Sequence, residues 1–87
     1  MSKTTTRQAT RAMMSPREVR VIDYRAESRG VRLVSIEATS DAAYDCARNV
    51  AHGAASAFGL GGAVEEVPGA VFEIHRRGVH VMDVMSR

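Results

Sequence analysis

His52, His75, His80 and Cys46 are the only side chains of this chain able to hold a soft or borderline metal ion. Zinc needs three or four such donors to converge, with the imidazoles oriented by further acceptors. The faces expected below scatter them. Cys46 falls near the buried side of a helix and His52 on its wet side, while His75 falls on an outer sheet face and His80 at an inner face near a rim. No metal site is therefore expected. A lone cysteine makes no internal disulfide and excludes a four-cysteine centre.

Other chemical groupings dissolve in the same way. Gly59-Leu60-Gly61-Gly62 has the composition of a phosphate-cradling loop, but such loops precede a helix, whose amides and dipole attract the anion. Here the glycines follow a helix and read as its stop. Glu65 and Glu66 are adjacent and would point to opposite faces of a strand, which is unsuitable for a paired acid and base. No serine finds orderly histidine and aspartate partners. The chain is expected not to be an enzyme, to have no catalytic residues and to need no cofactor.

Charge is more informative. The formal net charge is +2, yet basic residues concentrate before position 33, and Arg48 is the only cation among Glu37, Asp41, Asp45, Glu65, Glu66 and Glu73 in the middle of the chain. Such polarity suits an acidic partner or nucleic acid. With 45% hydrophobic and 25% charged residues over 87 positions, the composition is that of one small globular domain. No apolar run approaches the roughly 18 residues of a spanning helix, and the polar N-terminus lacks a signal-peptide core. No membrane association and a cytoplasmic location are expected. Residues 1–17 read as a disordered basic arm and residues 18–87 as a single α+β domain.

The helix that organises this domain runs from Ser40 to Phe58. Thr39 or Ser40 can cap it, Asp41 and Asp45 favour its positive end, and Gly59 can end it in the left-handed conformation. Ala43, Ala47, Val50, Ala54 and Ala57 or Phe58 recur at helical spacing and form the expected buried stripe. Val19–Glu27 and Val31–Ala38 read as strands joined at Ser28-Arg29-Gly30. A three-residue loop there pairs Ile22 with Ile36 and Tyr24 with Val34, and it spares arginine a positive φ. The same Arg-Gly-Val device recurs at Arg77-Gly78-Val79, where a three-residue loop pairs Phe72 with Met82 and Ala70 with Val84.

If Pro68-Gly69 reverses the chain, the antiparallel sheet has five strands (ββαβββ); if it only bulges, the sheet has four (ββαββ). The turn chemistry of the dipeptide favours five. Either way one helix packs on one sheet face. The opposite face is expected to present Val21, Leu33, Val71, Val79 and Val81, more apolar than solvent alone requires, and so a surface for a protein partner or a homodimer. The Arg-Gly turns are expected at one end of the sheet, gathering Arg25, Arg29, Arg32, Arg76 and Arg77 into a rim for phosphates or acidic side chains. Phe58, Phe72 and Tyr24 are expected in the core, which leaves that rim without an aromatic platform.

Strand, turn, a strand ending Ile36-Glu37-Ala38-Thr39-Ser40, a helix with spaced alanines and further hairpin strands together resemble, over residues 19–84, small phage-encoded inhibitors of the type I anti-CRISPR kind. That resemblance implies a non-enzymatic protein that binds a CRISPR surveillance complex and blocks its target DNA; it carries no residue assignments. The expected function is a small binding protein that occludes a macromolecular surface, with a basic nucleic-acid-binding accessory protein or a structural homodimer as alternatives.

Overall fold

The computed structural model describes residues 17–86. Strand β1 (Arg17–Asp23) is followed by a loop with a short 3₁₀ turn at Ala26–Ser28, β2 (Gly30–Glu37) and helix α1 (Ser40–Ala57). A second 3₁₀ turn at Gly59–Gly61 leads to β3 (Gly62–Val67), β4 (Val71–Arg76) and β5 (Val79–Ser86). The fold is α+β, one helix on a five-stranded antiparallel sheet of order β2-β1-β5-β4-β3. Except for Arg17, which opens β1, the expected N-terminal arm lies outside the described residues. Among the described residues no helix is long and apolar enough to cross a membrane.

Thr39 caps α1, its Oγ1 accepting a hydrogen bond from the Ala42 amide at 3.1 Å. Gly59 follows the helix with φ +72°, the left-handed stop expected of it. The buried stripe is Ala43, Ala47, Ala51 and Ala55, a strict four-residue row, with Val50, Ala54 and Phe58 only packed against its margin. The stripe read from sequence drifted off this row after Ala47. The bulk of the core comes instead from the sheet, where Phe72, Ile74, Val19 and Val84 are fully buried. Close approach continues past the helix: a Cβ on Gly62 would collide with the Ala55 carbonyl oxygen, so only glycine fits at the start of β3.

Both hairpin registers differ from the expectation. Asp23 pairs with Gly30 and Ile22 with Val31, leaving Tyr24–Arg29 as the connection, and a bulge opposite Val19 and Arg20 shifts the rest of β2. Val19, Val21 and Asp23 therefore face the helix, and Ile22 faces away. The second hairpin closes through a two-residue turn, with Arg76 paired to Val79 and both Arg77 (φ +54°) and Gly78 (φ +80°) left-handed. That is the primed turn whose twist matches a hairpin; arginine accepts the positive φ that the sequence reading denied it. A bulge at Ile74/His75 then restores Phe72 to Val84. Pro68-Gly69 does reverse the chain, Val67 pairing with Val71 across it.

These registers correct two members of the expected outer face. Val21 and Val81 are 3% and 5% exposed and belong to the core. A one-residue slip moves a whole strand to its other face, which accounts for Val21; the β5 bulge turns Val81 inward beside Met82.

The alanine row makes a direct prediction. Ala47→Leu should lower stability by about 1–3 kcal/mol through overpacking, while Ala57→Leu on the exposed side should stay within about 0.5 kcal/mol. Urea unfolding reads both, and equal effects would refute a close helix–sheet contact.

Candidate functional site

The expected rim is built at the end of the sheet where α1 finishes. The Tyr24 amide donates to the Val81 carbonyl at 2.9 Å and the Arg77 amide to the Gly61 carbonyl at 2.8 Å, so the β1–β2 loop, the helix stop and the β4–β5 turn are tied together. Phe58, which caps the helix, presents its ring to two guanidinium groups, Arg25 at 5.3 Å and Arg76 at 5.4 Å from the centroid. A concavity of about 460 Å³ opens beside it, lined by Phe58, Arg76, Arg77, Val79 and Val81. Phe58 is thus a half-buried member of the rim, not an interior residue, and supplies the aromatic surface the rim was expected to lack.

The arginines are not equivalent. Asp23, 6% exposed, accepts hydrogen bonds from Arg25 through its amide, Nε and Nη2, at 2.9, 3.1 and 2.9 Å, and from the Ser28 hydroxyl at 2.7 Å. The Arg25 hydrogen bond outweighs burial and holds the Asp23 carboxyl well below the usual carboxylate range. The charge of Arg25 is accordingly committed within the loop. Arg76 and Arg77 form no ion pair among the described residues. Arg29 and Arg32 are exposed but do not line the concavity. Arg32 sits opposite Val21 on β2, and Arg29 follows the 3₁₀ turn. Val79 is 62% exposed and belongs to this rim, not to the outer face where it was expected.

The sheet face opposite the helix carries two kinds of surface. Ile22, Val31, Leu33 and Ile36 share it by register, with Val31, Leu33 and Ile36 exposed on β2 at 62%, 45% and 56%. Leu33 and Val71 are therefore where the sequence placed them, although Val71 is half-buried. The other part is polar. His75 pairs across the turn with His80, their rings stacked with centroids 5.2 Å apart. His75 Nε2 lies 3.2 Å from Glu73 Oε1, and His80 Nε2 lies 2.7 Å from Asp83 Oδ1. Tyr24 is 44% exposed, not in the core, and donates its hydroxyl to Asp83 Oδ2 at 2.6 Å. That bond, with partial burial, pushes the Tyr24 phenol up to about 12. Burial of the His80 imidazole works against its charged form, but Asp83 and Glu73 outweigh it and raise its pKa.

His80 was expected on the inner face. The signal that places it outside is in the sequence: His75 and His80 are equidistant from the Arg77-Gly78 bond, so a two-residue turn makes them partners. Nothing in the alternation of β1 alone announced Tyr24, whose position follows from the slip that turned Val19 and Val21 inward.

No protein-family model matches the chain, and no curated protein or solved structure matches it.

Two measurements check this geometry. Arg77→Asn should raise stability by up to about 1 kcal/mol, because asparagine tolerates a left-handed φ better than arginine; an unchanged or lowered unfolding midpoint would contradict the turn assignment. Proton NMR titration should find the His80 imidazole losing its proton above the ordinary histidine range and Asp83→Asn moving it back down. A raised folded-state pKa contributes stability below the unfolded value that is lost as pH rises through the folded one, so this contribution should fade as pH rises through the raised His80 value in the wild type and be smaller in the variant.

Proposed function

We propose that the protein is a non-enzymatic binding module that docks on a macromolecular surface through the uncovered sheet face along β2. One observation carries this reading: the two edges of the sheet are unlike. At the β3 edge Glu65 and Glu66 are exposed, the charged guard that discourages pairing with another chain. At the β2 edge Val31, Leu33, Val34 and Ile36 are all large, apolar and exposed. An edge strand left in that state is a cost to a solitary protein and an asset to one that buries it against a partner. Pairing to its free backbone groups would supply hydrogen bonds, and the side chains would supply selectivity.

Occlusion is the mode of action that such a flat face supports, and blockade of a CRISPR surveillance complex, the activity implied by the order of elements, is one instance of it. A second reading draws on the rim at the end of the sheet. Arg76 and Arg77 beside Phe58 form a basic, partly aromatic rim suited to phosphate or carboxylate groups. In that reading the partner is a nucleic acid.

The readings part on mutation and on salt. Leu33→Arg with Ile36→Arg should abolish recovery of the partner from cells of the source organism while leaving the fold intact by circular dichroism; undiminished recovery would sink the β2 reading. Arg76→Ser with Arg77→Ser should leave recovery nearly unchanged. Loss of binding in that second variant, together with affinity falling steeply as salt rises, would transfer the function to the rim. Light scattering on the same samples separates a second copy from a foreign partner.

A further inference from the structure

The polar part of the uncovered face gathers donor atoms from three adjacent strands. Glu65 comes from β3, Glu73 and His75 from β4, and His80 and Asp83 from β5. The donor atoms of Glu73, His80 and Asp83 all lie within 4.8 Å of one another, and so do those of Glu65, Glu73 and His75. Glu73 is common to both groups. We propose that the chain binds a divalent transition-metal ion of the zinc class on this face, with His80 as the nitrogen ligand, Glu73 and Asp83 as oxygen ligands, and His75 stacked against His80.

Three features make this more than a chance meeting of side chains. The first is backbone placement. The Arg77-Gly78 turn makes His75 and His80 direct cross-strand partners, and their rings lie at 25° to each other, so both imidazoles leave the sheet side by side. The bulge at this pair sends Val81 into the core and re-aims the strand locally, the use to which bulges near sites are put. These positions rest on hydrogen-bonded strands, which hold a ligand set more rigidly than loops do.

The second is the outer layer of hydrogen bonds. Tyr24 holds Asp83 Oδ2 at 2.6 Å, which leaves Oδ1 turned towards His80 Nε2. The Tyr24 and His80 rings also meet edge to face, with centroids 5.3 Å apart. A carboxylate and an imidazole oriented by a neighbour in this way are what metal sites use to fix their ligands.

The third is the donor chemistry. An imidazole with two carboxylates suits zinc and its borderline neighbours, whereas calcium and magnesium prefer oxygen alone. Ligands at about 2.0–2.2 Å from a tetrahedral ion stand roughly 3.4 Å from one another, so side-chain torsions need close the spacing within the Glu73, His80 and Asp83 group, at most 4.8 Å, by little more than about an ångström. Among the described residues no arginine or lysine pairs with Glu73 or Asp83. Metal binding at His80 Nε2 would take the place of its hydrogen bond to Asp83, with the neutral imidazole carrying its proton on Nδ1. This site is separate from the apolar strip on β2 and does not depend on what docks there.

The test uses the full chain and zinc or cobalt ions alone. Calorimetric titration should find one ion per chain, cobalt should develop the visible absorption of a four- or five-coordinate complex, and the imidazole NMR signal of His80 should shift while that of His52 does not. His80→Gln and Asp83→Asn should each weaken binding at least about tenfold, whereas His52→Ala and Cys46→Ser should leave it unchanged. Metal ions that perturb only His52 or Cys46, or that perturb no histidine at stoichiometric amounts, would overturn the proposal. The NMR titration reads this on the wild-type chain even where a variant fails to fold.

Discussion

Contact between a row of alanines and a sheet sets the rest of this structure. Ala43, Ala47, Ala51 and Ala55 offer nothing longer than a methyl group, so the helix backbone lies close to the strands and the sheet must provide the filling volume. Phe72, Ile74, Val19 and Val84 do so, and Tyr44 closes one flank by tilting against Phe72 and donating its hydroxyl to Glu66 at 2.7 Å. The geometry also limits coverage. A helix with its side chains is about 10–12 Å across, while five strands at about 4.8 Å spacing span roughly 19 Å between their outer axes. One helix cannot shelter that width. Lying over β5 and the β4–β3 side more than over β2, it leaves β2 exposed on both faces, which is why most of that strand is open to solvent whichever way its side chains point.

The same economy concentrates structure at one end of the sheet. The helix must stop and re-enter through Gly59–Gly62, and the β1–β2 loop and the β4–β5 turn arrive beside it. A buried carboxylate makes this tolerable. Asp23 lies at the rim of the apolar face, where an unpaired charge would be costly, and the loop folds back so that Arg25 and Ser28 satisfy it. This fixes Arg25 over Phe58 and so shapes the rim in which Arg76 and Arg77 retain their charge. Asp23 is also an acid-sensitive point: its stabilising effect exists above the unfolded carboxylate pKa and disappears as pH falls towards the depressed folded value.

Element order, the helix limits and the Pro68-Gly69 reversal were legible because each has a local cause: a cap, a left-handed glycine, a proline-glycine turn. Faces were harder. Seating Ile22 and Tyr24 in the core is attractive by size, but it would also bury Glu18 and Arg20, which share that face. Val19 and Val21 have no charge on their own face until Asp23, whose partner Arg25 lies beyond the strand and could not be inferred from alternation. In the second hairpin, separating the apolar from the polar face selected the wrong loop; a bulge, which leaves no mark in the pattern of apolar residues, then reconciled the two-residue turn with a buried Phe72. Of the rim, Arg25, Arg76 and Arg77 were found from turn positions alone. Phe58 was missed because a large aromatic at a helix end reads equally as core or cap.

The two surfaces left open by the helix differ in what holds them. The rim depends on loops whose conformation rests on Asp23 and on a left-handed arginine, so its shape answers to small changes in either. The outer face depends on strand register alone, and register is all or nothing once one face is buried. Burying Val19, Val21, Phe72 and Val84 beneath the alanines therefore determines that Leu33 and Ile36 meet solvent, and the Arg77-Gly78 turn with its bulge then sets His75 and His80 together on the far side. The features proposed to carry function are thus the complement of the core: displacing them collectively would require turning the strands over, and the helix contact forbids that.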